Sequence, residues 1–241
     1  MTPRVESKII GILGGMGPYA SSAFLQKILD KTFVKNDRDH IHIVLDSHPH
    51  IPSRTRHALY NEESPVPQMI ESCRKLADYP VDAIAIPCNS ASNWIEDIQR
   101  QISVPLLNII AITVSSLARH FPIKQGRIAV WGGLVTYKYE TYRRYLEDKG
   151  YEYVKHTEQA QRDIEGFIET IKLNHITSTL LHNINELGRF FEREMRADLI
   201  IMGCTEFGCI DNTLYAFKHM NSLDVYAEHV VQYAQNGAKC Y

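Results

Sequence analysis

Two short apolar runs, each ending in a cysteine, constrain this chain more than anything else in it. They read Asp82-Ala83-Ile84-Ala85-Ile86-Pro87-Cys88-Asn89-Ser90-Ala91-Ser92 and Asp198-Leu199-Ile200-Ile201-Met202-Gly203-Cys204-Thr205-Glu206. Runs this short and this apolar fit parallel strands buried on both faces. A hydroxyl residue suited to capping a helix follows each cysteine, so both thiols are expected at the carboxyl ends of strands. Open α/β sheets bind ligands at that edge, where helix N-termini present free amides. A thiol there forms thiolate more readily than one sealed in a core. One strand-end cysteine alone reads as a small hydrophobe, whereas two in matching contexts point to one site.

The 241 residues suffice for two modest α/β units, and the net charge is −2. With Lys and Arg scattered and no basic face, nucleic acid is excluded as a partner and a small molecule is expected. No apolar run approaches the roughly 18 residues of a membrane span, and the first twelve residues lack a secretory pattern, so a cytoplasmic location is expected. Five cysteines, at positions 73, 88, 204, 209 and 240, show no framework or CxxC spacing and read as reduced thiols. The histidines, His40, His42, His48 and His50 among them, lack any paired spacing, so no metal is expected. Trp94 and Trp131 read as packing residues.

Along the chain, residues 8–13 read as a strand and Gly14-Gly15-Met16-Gly17-Pro18 as a turn into a helix over 19–33, with Pro18 in its first turn. A strand at 41–46 leads into an irregular loop, 47–56. A helix over 66–77, the Cys88 strand, a helix through Arg100 and a strand at 104–109 follow. A second half then restarts with a helix over 112–121, a strand at 127–132, a helix over 139–150 closed by a glycine, and a strand at 151–154. Helices over 160–172 and 176–196 precede the Cys204 strand, and a helix over 225–235 ends the chain. Such alternation implies right-handed βαβ units and mostly parallel sheets. Gly15-Met16-Gly17-Pro18-Tyr19-Ala20 also satisfies G-x-G-x-x-A, with Asp46 closing the next strand, so a dinucleotide site is a competing reading.

Four stretches together resemble the signatures of the aspartate/glutamate racemase superfamily, in the same order. They are Leu13-Gly14-Gly15-Met16-Gly17-Pro18, Ile51-Pro52-Ser53-Arg54-Thr55, Pro87-Cys88-Asn89-Ser90-Ala91 and Gly203-Cys204-Thr205-Glu206. The likeness is to the aspartate racemase branch. It implies two similar lobes, each a mostly parallel sheet flanked by helices, with the active site between them and no cofactor. The first lobe would comprise residues 1–110 plus 213–241 and carry Cys88; the second would comprise 111–212 and carry Cys204. A homodimer is a further expectation from the family.

The pairing has a chemical logic. Inverting a stereocentre removes a proton from one face of the α-carbon and delivers one to the other, a task for two acid–base groups. Cys88 and Cys204 are the catalytic candidates, and amides around Asn89, Ser90, Ala91 and Thr205 are expected to stabilise charge building on the substrate carboxylate. Met16 and Gly17 belong to the substrate-binding set through the first signature. A dicarboxylic substrate such as aspartate or glutamate needs a cation, and the family's arginine falls on Arg54, with Arg56 as a stand-in. A family lysine falls on Lys172. Glu206 either orients Cys204 or caps the helix that follows.

The chain departs from the pattern in places. Ser90 replaces the usual threonine, Ser92 stands where many relatives have histidine and Ser53 where many have aspartate. Gly132-Gly133-Leu134-Val135-Thr136 replaces an expected threonine-glycine-threonine stretch. These changes bear on substrate choice. A maleate-type isomerase and a non-catalytic amino-acid or dinucleotide binder are the other functional readings.

Overall fold

The computed structural model describes residues 7–121 and 125–236; Cys240 and the start of the N-terminal segment lie outside the described residues. Eight strands form two four-stranded sheets, parallel throughout, in the orders β2-β1-β3-β4 and β6-β5-β7-β8. The first sheet contains β1 (Ile10–Gly14), β2 (Ile43–Ser47), β3 (Ala83–Ala85) and β4 (Leu106–Leu107); the second contains β5 (Arg127–Trp131), β6 (Glu152–Val154), β7 (Leu199–Met202) and β8 (His219–Asn221). Helices flank both: α1 (Pro18–Lys31), α2 (Arg54–Tyr60), α3 (Val66–Ala77), α4 (Ile95–Gln99), α5 (Ile109–His120), α6 (Leu134–Lys138), α7 (Arg143–Glu147), α8 (Glu158–Lys172), α9 (Ser178–Arg193) and α10 (Ser222–Asn236).

The expected α/β architecture is the one observed, and the two apolar runs are the reason. In each sheet the strand before a cysteine lies in an interior position, β3 beside β1 and β7 beside β5. Both are buried along their whole length, as continuous apolar runs between two helical layers must be. A shared core of Ile10, Ile12, Leu107, Ile110, Val130, Tyr142, Leu199 and Tyr226 joins the two sheets. Each fully buried side chain of this size contributes roughly 1.5–3 kcal/mol. Helix α10 completes the junction by packing against α1 and α5. Its Tyr226 hydroxyl donates to the Leu107 carbonyl (2.6 Å) and accepts the Ile86 amide (3.0 Å).

Several local expectations change. The strand β8 was not anticipated, and it pairs with β7 in the second sheet; the chain therefore crosses to the first sheet at Ser222 rather than at residue 213. Three residues are too few to show a period in the sequence. The loop at 47–56 gives way to α2, which Ser53 caps by accepting the Arg56 amide and Asn61 ends at φ 55°. The helix expected over 139–150 shrinks to α7, preceded by α6, which the sequence did not suggest, with Glu140 at φ 47° between the two. At the glycine turn, Gly15 takes φ 87°, and a β-carbon there would stand 2.4 Å from the His48 backbone. The turn closes on itself: Ser21 Oγ accepts the Gly15 amide (2.9 Å) and donates to the Gly17 carbonyl (2.8 Å). That amide is thus committed internally, and the glycines serve close packing of β1 against the end of β2.

Candidate active site

Cys88 and Cys204 are the cap residues of two 3₁₀ turns, Asn89–Trp94 and Thr205–Cys209. No side-chain cap bond forms at either, so the hydroxyls that follow do not cap α-helices as expected. The first bonds within the turns run from the Ala91 amide to the Cys88 carbonyl and from the Phe207 amide to the Cys204 carbonyl, each 3.2 Å. The amides of Asn89, Ser90, Thr205 and Glu206 precede those bonds.

Both cysteines line one cleft at the junction of the sheets, with about 500 Å³ of empty space partly open to solvent. Met16, Arg54, Asn89, Ser90, Lys172, Thr205 and Glu206 share its wall. Two of the expected residues do not. Ala91 is buried with its amide turned to Cys88, and Gly17 instead gives room to Glu206, whose Oε1 would lie 3.3 Å from a β-carbon there.

Two polar connections draw the cysteine loops together. The Thr205 hydroxyl donates to the Pro87 carbonyl (3.1 Å), joining the residue after one cysteine to the residue before the other. Beneath the cleft, the Tyr142 hydroxyl donates to Asn89 Oδ1 (2.5 Å), Asn89 Nδ2 donates to Ser222 Oγ (3.2 Å), and Ser222 Oγ donates to the Met202 carbonyl (2.8 Å). All four residues are buried, so this chain of bonds fixes the floor of the site with its polar groups satisfied.

The charges are unevenly placed. The Cys204 thiol donates to Glu206 Oε2 at 2.9 Å, and Glu206 is only 3% exposed. Burial, then the charge and hydrogen bond of Glu206, push the Cys204 pKa well above the usual thiol range, while Lys172 opposes them. The Lys172 ammonium lies 2.6 Å from Glu169 Oε1. Burial pulls its pKa down, but the bond to Glu169 and the charges of Cys204, Glu206 and Glu169 overcome this and leave it raised.

The half-buried Arg54 guanidinium is held by backbone carbonyls: Nη1 donates to Ile51 (3.3 Å) and Pro52 (3.0 Å), and Nη2 to Met16 (3.5 Å). Arg56 does not stand in for it. Its side chain is exposed and paired with Glu62 at 2.7 Å, because two residues further along α2 is about 200° around the helix and turns it out of the cleft.

Ser53, Thr55, Gly133, Glu165 and Ile168 complete the wall; the first three fall in stretches the sequence singled out, whereas Glu165 and Ile168 were not anticipated. Three of the lining residues, Glu165, Ile168 and Lys172, stand at i, i+3 and i+7 on α8, the spacing of one helical face. The face of α8 that carries Lys172 into the cleft therefore carries the other two with it. No group of three or more metal-ligating side chains occurs among the described residues. No described helix is long and apolar enough to cross a membrane.

A model of the Asp/Glu/hydantoin racemase family matches residues 13–232. The chain is 32% identical over 209 residues to the broad specificity amino-acid racemase RacX of Bacillus subtilis strain 168, which covers 84% of this chain and 87% of that protein. The solved structure of Picrophilus torridus aspartate racemase matches with a TM-score of 0.80 and 26% identity, over 97% of this chain and 96% of that one. The glutamate racemase isoform RacE1 of Bacillus anthracis shares the fold, with a TM-score of 0.64 and 15% identity over 98% of this chain and 84% of that one.

Proposed function

The chain belongs to the Asp/Glu/hydantoin racemase family, and from this we propose that it inverts the α-carbon of an amino acid by proton transfer between Cys88 and Cys204, without a cofactor. The observation that carries this reading is that both thiols line one cleft while the Thr205–Pro87 hydrogen bond holds their loops against each other.

In the resting arrangement Cys204 holds its proton and is armed as the acid. The Cys88 sulfur, as thiolate, takes the α-proton from one face and leaves a carbanion whose charge spreads into the carboxylate. Amides of Asn89, Ser90, Thr205 and Glu206 are the donors for that charge. Cys204 then delivers its proton to the opposite face and becomes thiolate, so no proton is lost or gained overall. In the reverse direction the roles exchange, and Glu206 is placed to take the thiol proton that Cys204 must shed before acting as a base. Arg54 and Lys172 supply the positive charge that a substrate carboxylate requires. On these cations alone the substrate would be aspartate or glutamate.

Incubation with a panel of L-amino acids in deuterated water tests the proposal. Loss of the α-proton signal together with falling optical rotation is the expected result. Absence of exchange across the whole panel would leave a binding protein rather than a racemase, and cis–trans isomerisation of maleate in a separate incubation would point to a maleate-type relative.

A further inference from the structure

The sequence points only to cations along the side-chain end of this site, yet the cleft also holds an acid there. Glu165, Ile168 and Lys172 form one stripe of α8, and seven residues of helix span about 10 Å. The stripe reads acid, apolar, cation. The charges of Cys204 and Glu206 act on Lys172, on the Cys204 side of the cleft, while Glu165, two turns earlier on α8, lies on the Cys88 side.

The Glu165 carboxylate is held in place from behind. It accepts from the Leu134 amide and from Gln161 Nε2 (3.4 Å). Gln161 is itself fixed, donating to the Gly132 carbonyl (3.0 Å) and facing His156 Nε2 (2.9 Å). From the front, Glu165 Oε2 and Ser90 Oγ each lie 4.0 Å from where a Gly133 β-carbon would be, so the carboxylate borders the cleft opposite the Cys88 loop. Among the described residues it has no ion-pair partner. The cations of the site are more committed: Lys172 is paired with Glu169, and Arg54 is bonded to three carbonyls.

We propose that Glu165 sets the substrate class by receiving the terminal ammonium or guanidinium of a basic amino acid, and that dicarboxylic amino acids are disfavoured. This rests on the racemase reading for its reaction, though its binding term is separate. With the α-carboxylate on the amides of Asn89, Ser90, Thr205 and Glu206 and the reacting carbon between the sulfurs, a basic side chain laid along α8 brings its terminal cation to Glu165, while Lys172 stays beside Cys204 and Glu206. A side-chain carboxylate laid along the same path meets the Glu165 charge in a half-buried setting, where like charges are costly. Burial raises the Glu165 pKa against the opposing charge of Lys172, so a docked cation further favours its ionised form.

The rival role for Glu165 is to hold the α-ammonium that every amino acid carries. Calorimetric binding and α-proton exchange, measured with L-lysine, L-ornithine, L-glutamine and L-glutamate on the wild type and on Glu165→Gln, separate the two. We expect the wild type to prefer lysine and ornithine to glutamate. Glu165→Gln should weaken lysine at least about tenfold more than glutamine and narrow or reverse the gap to glutamate, as removal of a charge-assisted hydrogen bond implies. Equal losses for all four amino acids, no loss for lysine, a wild-type preference for glutamate, or no binding at all each overturns the assignment. If lysine binds in the Glu165-dependent way but its α-proton does not exchange, Glu165 keeps its role and the racemase reading falls. If glutamate exchanges faster than lysine, the racemase reading stands and the Glu165 proposal falls.

Discussion

The loops that carry Cys88 and Cys204 look alike as sequence and differ as chemistry. Both follow an interior strand and both open a 3₁₀ turn. After Cys88 come Asn89, Ser90 and Ala91, all neutral, and Asn89 is tied down by Tyr142 and Ser222. After Cys204 comes Glu206, a buried carboxylate that accepts the thiol proton's hydrogen bond. One sulfur sits in a rigid neutral frame; the other shares its proton with a base of its own. The repeat therefore supplies two equivalent positions for sulfur, while the residue two places on decides how each behaves.

The strongest way to break this comparison is to remove one sulfur at a time. In a two-base reaction Cys88→Ser and Cys204→Ser should each slow racemisation by about a thousandfold or more, near 4 kcal/mol of barrier. A single variant that racemised at close to the wild-type rate would mean that one base serves both faces.

Next in size is Glu206→Gln, which removes the base from one loop only. Loss of a positioned acid–base group should lower kcat by roughly a hundredfold. The pH dependence has a definite sign: the Glu206 charge and hydrogen bond raise the Cys204 pKa, so their removal lowers it. Alkylation of Cys204 by iodoacetamide should then begin at lower pH in Glu206→Gln, with Cys88 unaffected as the internal control. Unchanged alkylation of Cys204 would show that burial, not Glu206, governs this thiol.

Smaller effects test the neutral frame. Tyr142→Phe strips the donor from Asn89 Oδ1 and leaves a buried acceptor unpaired, which should reduce stability by about 1–3 kcal/mol in chemical denaturation. The Cys204 alkylation profile should not move, since the lost hydroxyl bonds Asn89 in the other loop while the ring beside Gly203 is kept. Thr205→Val loses the bond to Pro87, worth about 1 kcal/mol, and should raise KM more than it lowers kcat if that bond chiefly holds the cleft together. A larger fall in kcat would place Thr205 closer to the proton transfer than its geometry indicates.

Much of this was legible in the chain. The continuous apolar runs specify buried parallel strands because both faces of β3 and β7 must be covered. Pro18 takes the first turn of α1 as read, since its missing amide would be unpaired there in any case. Short or strained pieces were not legible. In α2, a local serine cap and a left-handed Asn61 outweigh a Pro- and polar-rich lead-in. Between α6 and α7, Glu140 turns the chain where its carboxylate meets Arg143 and Lys155, the latter just past β6. The site followed the same divide. The cysteines could be found from local signals and Lys172 only through the family resemblance, while on physical grounds Arg54 and Arg56 are separable only by which side of α2 faces the cleft.

By itself the sequence determined where seven of the eight described strands run, that each of two ends in a thiol, and that a carboxylate lies two residues beyond one of them. Those properties are local, fixed by apolar run length and by neighbours along the backbone. Only the tertiary structure decided that Thr205 reaches Pro87, that Arg56 turns away, and that Glu165 faces the same cleft as Lys172 and both cysteines. Hydrogen bonds and Coulomb forces act through distance in space, and separations of 118 residues along the chain collapse to 3.1 Å only when the two sheets pack on a common core.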